Sequence, residues 1–536
     1  MLTFDPVYQP YASNRYPVVA NQGVVATSNP LASSAGLLML QKGGNAVDAA
    51  IASAAVLTVT EPTSNGIGSD AFAIVWMKDK LYGFNGSGHA PMNISVEKVK
   101  ALGYQEMPKH GYIPVTIPGA PKMWATLIKQ FGKLSLEEIL APAIHYAENG
   151  FPLSPVTSLL WQEAFREYSV YRKLPEFQEW FRVFAPDGKA PVAGQIIKLP
   201  DHASSLRKIA ETGSDAFYSG ELAEKIVASS QKHGGFLSMK DLETFSVEPV
   251  QPISVNYRGI DVWELPPNGQ GIVALMALNI LKNYEMPDKQ DLQTLHRQIE
   301  AVKLAFADAR HYVTDPKEMQ IDYHILLSSS YGTRCSQKIT DSAVIPSFDN
   351  PSLGGTVYLA TADKDGNMVS YIQSNFCGFG SGIVVENTGI ALQNRGMGFS
   401  LNPQNINVLK PGKRTYHTII PGFLTQNGTP LGPFGIMGGH VQPQAHIQVI
   451  MNLLDFRLNP QMALDAPRFF WENGLNVCLE PQFDDALLQK LSLRGHNVKR
   501  LNNRLSTGRG QMILKMPEGY YIAGTESRAD GNIACY

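Results

Sequence analysis

Cysteine is scarce in this chain, and its placement excludes several kinds of site. Four cysteines occur among 536 residues, far apart and without the paired spacings that bind metals or carry redox chemistry. We therefore expect buried or idle thiols in a reducing cytosol, with no metal and no cofactor. The expected location is cytoplasmic.

Charged residues and long apolar runs are also scarce. Charged side chains make up 17% of the chain, against about 25% in typical globular proteins, which fits a large and well-buried enzyme body. The net charge of -2 provides no basic surface for nucleic acid. No apolar run reaches the roughly 18 residues that a membrane span needs, and the first residues lack the pattern of a secretory signal. Small molecules are the expected partners.

Several common catalytic motifs are missing. The sequence contains no G-x-S-x-G elbow and no Walker A motif, and residues 378–382, GFGSG, do not complete a dinucleotide-binding G-x-G-x-x-G. His440 and His446 have a poor spacing for metal ligands, so a structural role is favoured for each. A serine hydrolase of the triad type stays open, although no residue points to it.

The length predicts either two domains or one large layered fold. Residues 156–235 have a mainly helical pattern, and residues 313–353 have the turn residues of a linker or mobile surface loop. Predicted strands are 23–28, 71–77, 81–85, 253–257, 260–265, 357–361, 368–373, 383–385, 389–392, 418–425 and 433–437, and predicted helices are 31–41, 46–58, 121–131, 136–149, 272–283, 295–312 and 444–456.

One stretch combines a flexible junction with a hairpin. Gly354 and Gly355 allow strained backbone angles, and Thr356 begins a β-branched run that predicts a strand. Asp365-Gly366 is a strong hairpin turn signal, so the following residues are expected to return as the partner strand. The ordinary interpretation of Thr356 is a strand-initiating residue.

A functional interpretation of Thr356 needs its α-amino group to be free. Such an amine has a reference pKa of roughly 7.7 to 8.0, so it can act as the base that activates the adjacent hydroxyl. The Gly355 to Thr356 peptide would first have to be cut, and the threonine hydroxyl can do this by attacking the Gly355 carbonyl if the two glycines permit the geometry.

Several blocks along the chain carry a family resemblance. They are KGGNAVDAAIASAAVLTVTEPTSNGIGSDAF, PVTIPGA, LAPAIHYAENGFPLS, PPNGQG, KLAFADARHYVTDP, GGTVYLATADKDGNMVSYIQSNFCGFGSGIVVENTGIALQN, MGGHVQPQ and ALDAPRF. In this order they resemble the γ-glutamyltranspeptidase family of self-processing N-terminal-nucleophile hydrolases, from about Gly23 to the C-terminus. The resemblance implies an α/β fold, the four-layer αββα sandwich.

The resemblance implies a cut between Gly355 and Thr356. Residues 1–355 would form a large subunit and residues 356–536 a small subunit, both from one precursor and both within one structural unit. The sequence leaves any higher oligomeric state open.

Catalytic residues follow from the same resemblance. Thr356 matches the nucleophile, and Ser374 matches the hydroxyl that supports it. Gly438 and Gly439 match the pair whose backbone N–H groups form the oxyanion hole, a role that suits glycine because the backbone must approach the developing charge.

The substrate pocket departs from the γ-glutamyl-specific pattern. Those members hold the α-amino and α-carboxylate groups of the substrate with an asparagine, an acidic pair, a serine pair and an upstream arginine. In this chain, taken in the same order, the matching positions are Phe376, Arg395 to Gly398, His417 with Thr418, and Val96. No acid remains at these positions to pair with an α-ammonium.

The four residues Phe376, Arg395, His417 and Thr418 are therefore expected to bind substrate, and they suit an acyl group with a distal carboxylate and no amine, such as glutaryl. This pattern is similar to the cephalosporin-acylase branch and to the γ-glutamyltranspeptidase-like proteins of bacteria. A structural salt bridge for Arg395 and an ordinary packed histidine at 417 remain open, and the short segment 399–413 indicates a more open site.

The expected function is hydrolysis or transfer of γ-glutamyl or glutaryl-type amides through an acyl-enzyme. The expected substrate is a small-molecule amide. The choice between acyl groups, and between hydrolysis and transfer, stays open. The alternative is an inactive, unprocessed member of the family that acts as a binding protein.

Overall fold

Two seven-stranded sheets form the centre of the protein, whose computed structural model describes residues 15–345, 354–502 and 505–536. The strands of this part are β1 Val18–Ala20, β2 Val24–Thr27, β3 Asp70–Met77, β4 Lys80–Gly86, β5 Phe151–Pro152, β6 Ile196–Ile197, β7 Glu248–Val250, β8 Ile253–Tyr257, β9 Ile260–Glu264, β10 Gly355–Ala362, β11 Met368–Phe376, β12 Gly422–Gln426, β13 Thr429–Met437, β14 Phe469–Asn473, β15 Asn476–Leu479, β16 Asn497–Arg500, β17 Arg509–Lys515, β18 Tyr521–Thr525 and β19 Asn532–Cys535.

Both large sheets are antiparallel throughout. Sheet A has the order β1-β18-β17-β13-β12-β9-β8, and sheet B has the order β19-β2-β10-β11-β3-β4-β7. Each sheet contains strands from before Thr356 and strands that follow it.

Helices cover the outer face of each sheet. They are α1 Pro30–Gln41, α2 Ala46–Thr60, α3 Val96–Ala101, α4 Ala120–Phe131, α5 Leu136–Asn149, α6 Pro155–Tyr168, α7 Gln178–Phe184, α8 Pro200–Thr212, α9 Asp215–Tyr218, α10 Glu221–Lys232, α11 Met239–Glu243, α12 Gly271–Leu281, α13 Leu292–Tyr312, α14 Ser329–Ser336, α15 Val441–Leu454, α16 Pro460–Asp465 and α17 Asp485–Leu493. Helices α1, α2 and α4 to α11 pack in one apolar cluster against sheet B, whereas α12, α13 and α15 pack in another against sheet A.

A third apolar cluster lies between the two sheets. Phe72 and Tyr358 enter it from sheet B, and Phe423 and Ile513 enter it from sheet A. Burial on both faces makes the central strands nearly continuous in apolar residues. The layers are therefore helix, sheet, sheet, helix, which confirms the predicted αββα sandwich.

Small residues let α1 and α2 pack closely. Every residue of α2 is buried, and a Cβ added to Gly36 of α1 would lie 2.5 Å from the Ser53 hydroxyl of α2. Asn45 and Asp48 form a capping box that starts α2. This layer supports the β10–β11 hairpin from outside.

The structure differs from the sequence predictions in three segments. Residues 313–345 contain α14 and two short 3-10 turns rather than only loop, because Asn279 of α12 donates to the Ser328 carbonyl and holds α14 in place. Residues 383–392 take part in two isolated bridges, Val384 to Ala391 and Leu392 to Gly68, instead of forming two strands. The strand expected at 418–425 begins only at Gly422, because the preceding residues hydrogen-bond to loops at the site described below. Residues 346–353 of the predicted linker lie outside the described residues.

Candidate active site

A β-bulge in the central hairpin brings two hydroxyl groups together. Gly355 pairs with Phe376 and Val357 pairs with Gln373, so Ser374 and Asn375 of β11 lie opposite the single residue Thr356. Such a bulge changes the direction in which side chains point at the end of a strand. Thr356 Oγ1 lies 2.9 Å from Ser374 Oγ, and both residues are buried.

The Ser374 hydroxyl also contacts the backbone on both sides of the bulge. It donates to the Gly355 carbonyl at 2.9 Å and accepts the Phe376 N–H at 2.8 Å. Since its one proton goes to that carbonyl, the proton between the two hydroxyls comes from Thr356. The carbonyl of the Gly355 to Thr356 peptide is thus polarised beside the threonine oxygen.

Gly438 and Gly439 reach the same place from sheet A. They follow β13 with φ angles of 141° and 64°, which favour glycine. A Cβ added to Gly354 would lie 3.4 Å from the Gly439 Cα, so this turn faces the residues before Thr356. Helix α15 begins at Val441, so its partly positive N-terminus points to the same region.

Gln270 holds the glycine turn in position, although the sequence analysis did not single it out. Its Nε2 donates to the carbonyls of Gly439 at 2.8 Å and Thr418 at 2.6 Å. Its Oε1 lies 3.2 Å from Nδ1 of His440, which in turn contacts the Arg310 guanidinium. The PPNGQG motif contains Gln270, which is its only sequence signal.

Arg395 forms a buried ion pair with Asp70, an acid that the sequence analysis missed. Its Nε and Nη2 donate to the two Asp70 oxygens at 3.0 and 3.3 Å, and its Nη1 donates to Thr418 Oγ1 at 2.7 Å. The guanidinium also lies 4.3 Å from the ring centroid of Phe376. The structure therefore brings three of the four expected substrate-binding residues together, with the Arg395 charge compensated.

His417 completes this cluster as a neutral side chain. Its Nε2 lies 2.6 Å from Asp70 Oδ2, and its Nδ1 accepts the Ile419 N–H at 3.3 Å. Burial and the Arg395 charge lower the pKa of His417 to about 4. Burial raises the pKa of Asp70, but Arg395 and His417 outweigh it and lower that pKa to about 2. Asp70 pairs with Ser374 across β3 and β11, which places the charged cluster beside the two hydroxyls.

The sequence model of the gamma-glutamyltranspeptidase family matches residues 32–536. The chain belongs to this family. It is 36% identical over 527 residues to the glutathione hydrolase-like proenzyme of Bacillus subtilis, covering 96% of this chain and 98% of that protein. It is 31% identical over 531 residues to the oxamate amidohydrolase proenzyme of Klebsiella pneumoniae, covering 97% and 99%.

The fold is similar to the crystal structure of a cephalosporin acylase from Bacillus halodurans. The TM-score is 0.97 at 54% identity, over 100% of this chain and 99% of that one. Family membership confirms the predicted enzyme class, a self-processing amide hydrolase or acyltransferase of the gamma-glutamyltranspeptidase family. Among the described residues, the helices are too short or too polar to cross a membrane.

A cavity of about 350 Å³ opens beside the Gly354 and Gly355 backbone. Its walls include Thr63, Gly438 and Arg509, and Lys109 pairs with the exposed Glu167 in its lining. Space for a small molecule therefore exists next to the peptide bond at Thr356.

Proposed function

We propose that Thr356 is the nucleophile, first on its own chain and then on substrate amides. The observation that carries this proposal is the contact of Thr356 Oγ1 with Ser374 Oγ while the same serine donates to the Gly355 carbonyl. The hydroxyl attacks the Gly355 carbonyl carbon, and the acyl group moves from the Thr356 nitrogen to its oxygen. Water then hydrolyses the ester, which releases the Gly355 carboxylate and a free Thr356 amine.

The same residues then catalyse turnover. The Thr356 amine takes the proton of its hydroxyl, the oxygen attacks the substrate carbonyl, and the N–H groups of Gly438 and Gly439 stabilise the oxyanion. The leaving amine departs with the proton from the Thr356 ammonium. Water or an acceptor amine resolves the acyl-enzyme. Residues 1–355 and 356–536 are the two subunits of the active enzyme.

We assign Phe376, Arg395, His417 and Thr418 to the substrate-binding site, with Asp70 fixing their arrangement. Arginine has five N–H donors, and the bonds from Arg395 to Asp70 and Thr418 use three of them. Because both His417 nitrogens are hydrogen-bonded within the protein, its contribution is to orient Asp70. The substrates are γ-glutamyl or glutaryl-type amides.

A denaturing gel with N-terminal sequencing tests the nucleophile. The purified protein should appear as two bands, the smaller of which begins Thr-Val-Tyr-Leu, and Thr356→Ala should leave one band of 58.7 kDa with no amidase activity. Thr361→Ala is the matched control, since it removes a buried hydroxyl of the same strand that bonds the Ala46 carbonyl. A single uncleaved band from the unaltered chain would favour the alternative, an inactive binding protein.

Initial rates on two chromogenic amides test the acyl group. The enzyme should hydrolyse glutaryl-p-nitroanilide faster than γ-glutamyl-p-nitroanilide, because Asp70 is occupied by Arg395 and His417 and offers little to an α-ammonium. A large preference for the γ-glutamyl compound would contradict this assignment of the substrate-binding residues.

A further inference from the structure

Arg509 occupies an unusual position beside the site. It is the first residue of β17 and pairs with Met437, the residue before Gly438. A Cβ added to Gly438 would lie 3.1 Å from the Gly508 Cα, so the two segments are in contact. Arg509 is 7% exposed and lines the cavity beside Gly354 and Gly355.

The guanidinium of Arg509 has little compensation in the protein. Its ion pair within the described residues is with Glu61, at 3.7 Å from Nη1 to Oε1, too long for a direct hydrogen bond. Its Nε is buried and has no hydrogen-bond partner among the residues that the structure describes. Burial raises the pKa of Glu61, although the Arg509 charge opposes this shift. Arg468 and Arg528, by contrast, are tied to buried carboxylates at 2.6 to 2.8 Å.

Thr63 is a second residue of the same cavity. Its hydroxyl is buried and lacks a hydrogen-bond partner in the described part of the chain. Its carbonyl lies 3.2 Å from the position of a Cβ on Gly355, so Thr63 adjoins the peptide that would be cut. A buried cation and a buried hydroxyl therefore line one cavity without a strong partner.

The path of the precursor chain before Thr356 indicates which part of a substrate would enter this cavity. In the precursor the Gly355 carbonyl is the acyl group that Thr356 attacks, and Gly354 continues the chain behind it. A substrate attacked by the same oxygen must place its carbonyl in the same position. Its acyl chain then extends along the space that Gly354 and Gly355 leave, between Thr63 and Arg509.

We propose that Arg509, assisted by the Thr63 hydroxyl, binds the distal carboxylate of the substrate acyl group and so selects short dicarboxylic acyl chains. A guanidinium matches a carboxylate through two parallel N–H bonds. This inference rests on the proposed function, and it assigns the carboxylate contact to Arg509 rather than to Arg395, whose charge Asp70 already compensates.

Three amide substrates distinguish a contact between Arg509 and an acyl-side carboxylate from a general effect on activity and from a contact with the leaving group. Glutaryl-p-nitroanilide carries the carboxylate on the acyl side, pentanoyl-p-nitroanilide carries none, and pentanoyl-4-aminobenzoate carries it on the leaving group. Arg509→Gln should lower kcat/KM for the glutaryl compound by about 10- to 100-fold, the loss of a charge-assisted bond, and should change the other two by less than about threefold. Equal losses on all three, no loss, or a loss confined to the aminobenzoate would overturn the proposal.

Controls distinguish binding from folding. Lys515→Gln, at the other end of β17, should behave as the unaltered enzyme. Arg509→Lys should recover part of the glutaryl activity, because it keeps the charge but loses the paired N–H geometry. If Arg509→Gln gives no folded protein, Thr63→Val is the deciding variant. It should lose activity selectively on the glutaryl compound. A glutaryl rate equal to that of the unaltered enzyme would overturn the inference.

Calorimetry with glutarate separates this inference from the proposed function. A chain that is cleaved but inactive would refute the proposed turnover, but its glutarate binding can still be measured, because cleavage frees the space that Gly354 and Gly355 occupy in the precursor. Binding that is at least tenfold weaker in Arg509→Gln than in Lys515→Gln supports the carboxylate site. Equal affinities, or no binding to the unaltered protein, would refute it.

Discussion

Replacing Ser374 by alanine should slow self-cleavage by about 100- to 1,000-fold. The Ser374 hydroxyl donates to the Gly355 carbonyl at 2.9 Å, so in the proposed mechanism it stabilises the charge that develops on that oxygen when Thr356 attacks. Removal of one such donor costs about 2.7–4 kcal/mol of transition-state stabilisation in a comparable acyl-transfer site. The Phe376 N–H, which the same oxygen accepts at 2.8 Å, would also lose its partner.

The assay is a time course of precursor and fragments on a denaturing gel after synthesis. Ser374→Thr keeps a hydroxyl and should retain most of the rate. Ser370→Ala is the matched control, because Ser370 is equally buried on the same strand and bonds Tyr358 at 2.8 Å, away from the cut peptide. It should lose about 1 kcal/mol of stability and cleave normally. Cleavage of Ser374→Ala within about threefold of the Ser370→Ala rate would refute the role assigned to Ser374.

Three further results are expected. Asp70→Asn should lower the free energy of unfolding by about 3–5 kcal/mol in denaturant unfolding, because it leaves the buried Arg395 charge unpaired. Adding Arg395→Met to this variant should recover part of the lost stability. If the effects of the two substitutions simply added, that result would contradict the pairing. The pKa of His417 is about 4 in the folded protein against an ordinary 6.5, so the unfolded chain binds a proton that the folded chain does not. On acidification through this range His417 should therefore lower the stability by about 1.4 kcal/mol per pH unit, and His417→Asn should reduce the measured slope by that amount. Gln270→Ala should reduce kcat about tenfold with little change in KM, since Gln270 holds Gly439 rather than substrate; a change confined to KM would refute this.

The hairpin that carries Thr356 was predictable because its signals are local. Asp365-Gly366 forms the turn with Gly366 at a φ of 82°, and the alternating residues on either side form β10 and β11. Even-numbered residues of both strands face the other sheet, as Tyr358 and Ile372 show. Ser374 lies one residue beyond the predicted strand 368–373, and its place beside Thr356 was expected from the family resemblance rather than from this alternation.

The charged cluster beside the hairpin was not predictable in the same way. Asp70 and Arg395 are 325 positions apart and meet only because β3 pairs with β11. An acid at the start of an apolar strand, GSDAFAIV, gives no sign of its partner. Helix α14 was missed for a related reason, since its short polar sequence is stabilised by contacts with α12 rather than by its own periodicity.

The bulge in β11 explains how the Ser374 hydroxyl contacts both the Thr356 hydroxyl and the peptide bond before it. In a regular ladder the side chain of residue 374 would stand beside that of Thr356 without reaching the backbone before it. With Ser374 and Asn375 together opposite Thr356, the Ser374 oxygen instead contacts both the Thr356 hydroxyl and the Gly355 carbonyl. Cutting that peptide leaves β10 paired from Val357 onward, so the new amine stays beside its own hydroxyl. The proposed acyl position, its oxyanion donors and its nucleophile are therefore already assembled before the first substrate enters.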